Sequence, residues 1–171
     1  MNSARCSRPH APGVYATTDI DLVVERRSRA ELDSALTELG FTRRGRHWVL
    51  DDLMVEVPDN WMADPVDVIS VGALSLRVVK REVVLADRIV GFKHWHSTAY
   101  GAQAVALLAI FGESFDGDWL RSRLREEGAE DALAALRTLA TGGTRITEKQ
   151  LQHVLAQLHG TDSLSSDADS T

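Results

Sequence analysis

The chain has 171 residues, of which 44% are hydrophobic and 26% charged, a composition that excludes a largely disordered protein. Its one cysteine, Cys6, excludes an internal disulfide and a cysteine-based zinc site, and favours a reducing, cytoplasmic compartment. The formal net charge of −6 excludes a protein that is basic throughout. No apolar run reaches the roughly 18 residues that a membrane span requires, so we predict no membrane partner.

The N-terminal part of the chain predicts a strand followed by a helix. Residues 20–24 are rich in β-branched side chains, which is typical of a strand. Ser28 and Glu31 have the spacing of a capping box, and the apolar residues that follow recur at helical spacing. Gly40 occupies the position that commonly ends a helix, so we predict a helix over residues 28–39.

Two hairpins are predicted after this helix. The strand-like segments 41–50 and 53–57 flank the acidic pair 51–52, which is a turn signal between two strands. Two further runs, 68–71 and 74–79, flank a glycine turn and predict a second hairpin.

The C-terminal half predicts helices, because apolar residues recur every three or four positions from residue 82 onward. Asp116 and Thr147 are the expected N-caps of two of these helices. The fold class predicted for the whole chain is therefore α+β. We expect a disordered lead at 1–13, an α+β core at 14–81, a helical extension packed on this core at 82–159, and a disordered acidic tail at 160–171.

Three carboxylates form the strongest chemical pattern. Asp19 and Asp21 alternate on the first predicted strand, which directs both side chains to one face. Adjacent carboxylates repel each other and require a counter-charge, which a divalent cation supplies. Glu56 lies among apolar residues of another predicted strand, where an unpaired acid is costly. These observations predict that the three acids converge on Mg²⁺ or Mn²⁺, the alternative being a polar strand start and a solvent-facing Glu56.

The segment Tyr15-Ala-Thr-Thr-Asp-Ile-Asp-Leu-Val-Val, the helix that ends at Leu39-Gly40-Phe41, and the strand containing Glu56 resemble the nucleotidyltransferase superfamily. Within it, the chain is most similar to small nucleotidyltransferase-like proteins related to the AbiEii toxins of type IV toxin–antitoxin systems. The segment at 83–88 resembles the start of the helical half in those proteins.

The resemblance implies a nucleotidyltransferase-like mixed sheet with a flanking helix, and Mg²⁺-dependent transfer of a nucleotide from an NTP to an RNA or protein acceptor. Asp19, Asp21 and Glu56 would then be the catalytic, metal-binding acids, with Thr18 and Lys93 as candidate nucleotide-binding residues. A cognate antitoxin is a further implied partner. The alternative is a non-catalytic binding module of the same fold, or a toxin–antitoxin component.

The chain departs from the superfamily pattern before the first acidic pair. The superfamily carries a Gly-Ser or Gly-Gly turn there, whose amides hold the triphosphate, whereas Gly13 is the only glycine before Asp19. Either the natural start lies further upstream or this phosphate-binding turn is lost. We accordingly expect weak or absent nucleotide transfer by the chain as given.

Two basic and aromatic runs complete the candidates. The run 93–96, Lys-His-Trp-His, could line a nucleotide pocket, or could be a helix end whose Trp packs and whose polar residues are solvated. The run 43–48 mixes arginines with His47 and Trp48, a composition suited to phosphates and bases, although charged edge strands also serve to block aggregation. Alternation along one strand predicts Arg44 and Arg46 on one face, and Arg43 and His47 on the other.

Overall fold

A computed structural model describes residues 19–24, 28–58, 64–142 and 146–165. The architecture is mixed α+β, as the sequence predicts, and the chain divides into two compact units, Met1–Val83 and Val84–Thr171. The predicted lead at 1–13, Thr18, and residues 166–171 of the predicted tail lie outside the described residues.

The first unit begins with strand β1 (Asp19–Asp21) and helix α1 (Arg29–Glu38). The predicted capping box does not form, because the Ser28 side chain makes no capping hydrogen bond. The predicted C-terminus is correct: Gly40 has a φ of +89°, and the Phe41 N–H donates to the Leu36 carbonyl at 2.9 Å. The left-handed Gly40 and the hydrogen bond from Phe41 back to Leu36 form a Schellman motif that ends the helix.

A four-stranded sheet is built from β1 and three strands that follow α1: β2 (Thr42–Arg44), β3 (His47–Leu50) and β4 (Leu53–Glu56). Its strand order is β1-β4-β3-β2, with β1 parallel to β4 and the other pairs antiparallel. The acidic turn at 51–52 joins β3 to β4 as predicted, and Asp51 adopts a φ of +53° there.

The prediction of one strand over residues 41–50 is wrong. A turn at Gly45 and Arg46 divides this segment into β2 and β3, and Gly45 has the left-handed φ of +63°. Because the chain reverses there, Arg44 pairs with His47 and Arg43 pairs with Trp48. The predicted grouping of Arg43 with His47 is therefore also wrong, since alternation continues only within one strand.

One face of this sheet is apolar and packs on α1. Trp48 and Val55 occupy paired positions on β3 and β4, and both are buried with Leu36 of the helix. Ile20 of β1 pairs with Val55 and joins the same cluster. Neighbouring positions along each strand therefore direct their side chains to the opposite face of the sheet.

The second predicted hairpin is present as a separate two-stranded sheet, formed by β5 (Val66–Val71) and β6 (Leu74–Val79). Gly72 has a φ of +60° in its turn. The strands pair antiparallel over their whole length, from Val66 opposite Val79 to Val71 opposite Leu74.

The second unit is helical, as predicted for this half of the chain. Its helices are α2 (Arg81–Trp95), whose first turn belongs to the first unit, α3 (Thr98–Phe111), α4 (Gly117–Glu126), α5 (Glu130–Thr141) and α6 (Glu148–Ser165), with a 3-10 turn at Gly112–Ser114. Helix α3 packs against α5 and α6. Helix α6 continues beyond residue 159, where the sequence predicts the start of the tail.

Both predicted N-caps of the helical half are confirmed. The Asp116 side chain accepts a hydrogen bond from the Trp119 N–H at 3.0 Å at the start of α4. Thr147 Oγ1 accepts from the Gln150 N–H at 3.4 Å, and Gln150 Oε1 accepts from the Thr147 N–H at 2.9 Å. This reciprocal pair is a capping box at the start of α6.

Candidate functional site

The second face of the four-stranded sheet carries a row of ionisable residues that crosses all four strands. Asp21 of β1 lies directly opposite Glu56 of β4, Glu56 lies opposite His47 of β3, and His47 lies opposite Arg44 of β2. Residues that pair across adjacent strands share a face, so the pleat of the sheet assembles this row. Two of the predicted acids, Asp21 and Glu56, thus occupy adjacent positions although they are distant in the sequence.

Glu56 is paired with two neighbouring side chains. Its Oε1 lies 3.0 Å from Nε of Arg46, and its Oε2 lies 3.5 Å from Nδ1 of His47. The Glu56 side chain is 22% exposed, whereas that of Arg46 is 77% exposed. The acid is therefore partly sheltered on the sheet, and its guanidinium partner projects from the β2–β3 turn into solvent.

His47 lies between Arg46 and Glu56. The Arg46 Nε–H donates to His47 Nε2 at 3.3 Å. On the other side of the ring, the buried Nδ1 lies 3.5 Å from the Glu56 carboxylate and has no hydrogen-bond partner among the described atoms.

The donor chemistry of Asp21 and Glu56 suits a hard divalent cation. Mg²⁺ is typically held by one or two carboxylates and completes its coordination with water and substrate phosphates, so two adjacent acids are an adequate protein contribution. Across residues 19–24, 28–58, 64–142 and 146–165, no group of three or more His, Cys, Asp or Glu side chains could hold a metal ion by itself. Asp19, the other predicted ligand, lies opposite Met54 in the β1–β4 register.

The arginines of the basic run are divided between the two faces of the sheet. Arg43 lies 5.8 Å from the centroid of the Trp48 ring, and its Nη1 lies 3.6 Å from the Asp33 carboxylate of α1. Arg43 therefore packs on the helix side, whereas Arg44 pairs with His47 in the ionisable row. Sequence reasoning missed this division because it depends on the turn at Gly45.

Lys93, the predicted nucleotide-binding lysine, lies in the second unit, on α2. The residue is 6% exposed, and its Nζ lies 2.9 Å from both carboxylate oxygens of Asp131 on α5. Its carbonyl oxygen is 3.1 Å from His159 Nε2 on α6. Lys93 thus joins three helices, a structural role that its sequence neighbourhood does not indicate.

The other members of the 93–96 run lie on the surface. Trp95 is 69% exposed, and its ring lies 5.8 Å from that of Tyr100. His96, between α2 and α3, has a φ of +53°, and its ring lies 4.2 Å from that of His159. These two imidazoles line an open groove of about 430 Å³ along α6. Long-range ring contacts of this kind have no sequence signal.

Among the described helices, none combines the length and apolar character needed to cross a membrane. No protein-family model, curated protein or solved structure matches the chain.

Proposed function

We propose that the four-stranded sheet of the first unit is a nucleotidyltransferase-like core that binds Mg²⁺ and transfers a nucleotide from an NTP to an RNA or protein acceptor. The observation that carries this proposal is the parallel register that places Asp21 opposite Glu56. Asp19, on the same strand as Asp21, is the third proposed oxygen ligand.

In this proposal each acid has a distinct role. Asp21 and Asp19 would bind the cation, and Glu56 would complete its coordination or accept the proton of the attacking hydroxyl. Bound Mg²⁺ would supply charge stabilisation at the α-phosphate, where the acceptor hydroxyl would form the new P–O bond while the bond to pyrophosphate breaks and pyrophosphate leaves. Thr18 remains a proposed nucleotide contact, whereas Lys93, the other candidate from the sequence, binds Asp131 within the second unit through its ammonium group.

One observation favours a second function, a non-catalytic binding module or toxin–antitoxin component with the same sheet. Glu56 is paired with both Arg46 and His47, so the positive charge that neutralises it comes from the protein itself. An acid that is neutralised internally has less need of a cation. Such a module would have the fold and partners of the superfamily without its chemistry.

Thermal unfolding of the whole chain with Mg²⁺ or Mn²⁺ tests the metal site. A cation at about ten times its Kd stabilises the folded state by about 1.4 kcal/mol, which raises Tm by about 3–6 °C for a chain of this size. Asp21→Asn should abolish the shift. Asp52→Asn is the matched control, because it removes the same charge from an exposed turn and should retain the shift.

Incubation with each labelled NTP, Mg²⁺ and total RNA or cell lysate then separates the two functions. Labelling that is lost in Asp19→Ala supports the enzyme. A metal-dependent shift in Tm without any labelling supports the binding module. An unchanged Tm at millimolar cation contradicts the metal site itself.

A further inference from the structure

The β2–β3 turn places positive charge directly beside the carboxylates of the sheet. Arg46 in the turn is paired with Glu56, and Arg44, the last residue of β2, is exposed on the same face as His47. Neither arginine belongs to the segment before Asp19 in which the superfamily pattern places its phosphate-binding turn.

We infer that Arg46 is an internal counter-ion of this site, which leaves Glu56 when a divalent cation binds and then, with Arg44, contacts the phosphates of the nucleotide. The inference rests on the proposed function, since it concerns the same acids. It assigns the substrate's polyphosphate to the β2–β3 turn.

The geometry of Arg46 suits such an exchange. Its side chain is 77% exposed and its backbone lies in the turn between β2 and β3, so it can rotate without disturbing the packed face. A divalent cation bound at Glu56 would repel the Arg46 guanidinium, since both carry positive charge, so the two compete for this carboxylate. A guanidinium released from a carboxylate is well suited to phosphate oxygens, whose geometry matches its fork of N–H donors.

Competition predicts that removing Arg46 strengthens cation binding. An ion pair with one exposed partner contributes about 0.2–1 kcal/mol, so Arg46→Ala should tighten Mn²⁺ binding by about 1.4- to 5-fold. The measurement is calorimetric titration of the whole chain with Mn²⁺ alone. Arg43→Ala is the matched control, because it removes the same charge from the opposite face and should leave the Mn²⁺ affinity within about 1.5-fold.

The same substitution should have the opposite effect on an anion. With Mg²⁺ present, Arg46→Ala should weaken the binding of inorganic tripolyphosphate by about tenfold or more, because a charge-assisted hydrogen bond is lost. Arg44→Ala should also weaken tripolyphosphate binding while leaving the affinity for Mn²⁺ alone unchanged. A substitution that merely disturbed the turn would weaken the binding of both Mn²⁺ and tripolyphosphate.

Opposite changes for the two probes support the inference. Equal Mn²⁺ affinity in the parent and in Arg46→Ala, or weaker affinity in the variant, overturns the inference and leaves the proposed metal site standing. Unchanged tripolyphosphate binding overturns the anion role. No Mn²⁺ binding by either protein overturns the proposed function and this inference with it.

Discussion

The pair formed by Lys93 and Asp131 offers a sharp test of how the second unit is stabilised. We compare two substitutions. Asp131→Asn removes the carboxylate and leaves the Lys93 ammonium buried without a counter-charge. Lys93→Met removes the ammonium and keeps an apolar side chain. The ammonium of a lysine whose side chain is 8% exposed requires a counter-charge, whereas the Asp131 side chain is 43% exposed and can be hydrated if it loses its partner. The two substitutions should therefore have unequal effects.

The expected loss of stability follows from the burial of Lys93. Breaking a fully buried ion pair costs about 3–5 kcal/mol, and water that reaches Asp131 reduces this, so we expect Asp131→Asn to lower the free energy of unfolding by about 2 kcal/mol. For a chain of this size that corresponds to a decrease in Tm of about 4–8 °C. Lys93→Met should cost less than about 1 kcal/mol, because it leaves no unpaired charge in the interior.

The assay is urea unfolding followed by circular dichroism, with the Lys93→Met/Asp131→Asn double variant completing the cycle. The double variant should be close to Lys93→Met, since the asparagine no longer faces a buried charge. Arg125→Met is the control, because Arg125 pairs with Glu130 at the surface, with side chains 68% and 43% exposed, and should change stability by less than about 0.5 kcal/mol. If Lys93→Met were the more destabilising of the pair, the role assigned to burial would be refuted.

Four further substitutions have definite expected outcomes in the same unfolding assay. Gly101→Ala should cost about 1–3 kcal/mol, because an added Cβ would lie 2.5 Å from Phe92 Cδ2, and a parent-like stability would contradict this tight helix contact. Asp116→Ala should cost about 1 kcal/mol through loss of the α4 cap, whereas Ser28→Ala, which removes no capping bond, should be neutral. Equal effects of the two substitutions would contradict the difference in capping between α4 and α1. Gly40→Ala should cost about 1–2 kcal/mol, because its φ of +89° disfavours a Cβ, and a neutral result would contradict the Schellman motif.

The sequence predicted the elements whose signals are local. The end of α1 was predictable from Gly40, the β3–β4 turn from two consecutive acids, and the caps at Asp116 and Thr147 from residue type and position. The turn at Gly45 was missed because a single glycine among arginines and apolar residues is a weak turn signal. That one omission reversed the predicted face of His47.

The side-chain partners were beyond the reach of local patterns. Nothing near Glu56 in the sequence indicates its contacts with Arg46 and His47, since they arise from the β3–β4 register. Lys93 binds a residue 38 positions away, so its pattern of neighbours said nothing about its burial. Pairing that depends on tertiary structure can be recognised only after the elements are assembled.

The order in which the sheet assembles bears on when its acidic pair can exist. Strands β2, β3 and β4 are joined by short turns, so they can form a meander with little loss of chain entropy. Strand β1 joins β4 in parallel only after the chain has passed through α1 and both hairpin turns, which makes this contact the least local in the sheet. We therefore expect Asp21 to reach Glu56 late in folding, on a strand of three residues. A cation bound by both acids would stabilise the pairing of β1 with β4. Hydrogen exchange of the Ile20 amide would then be slower in the presence of the cation.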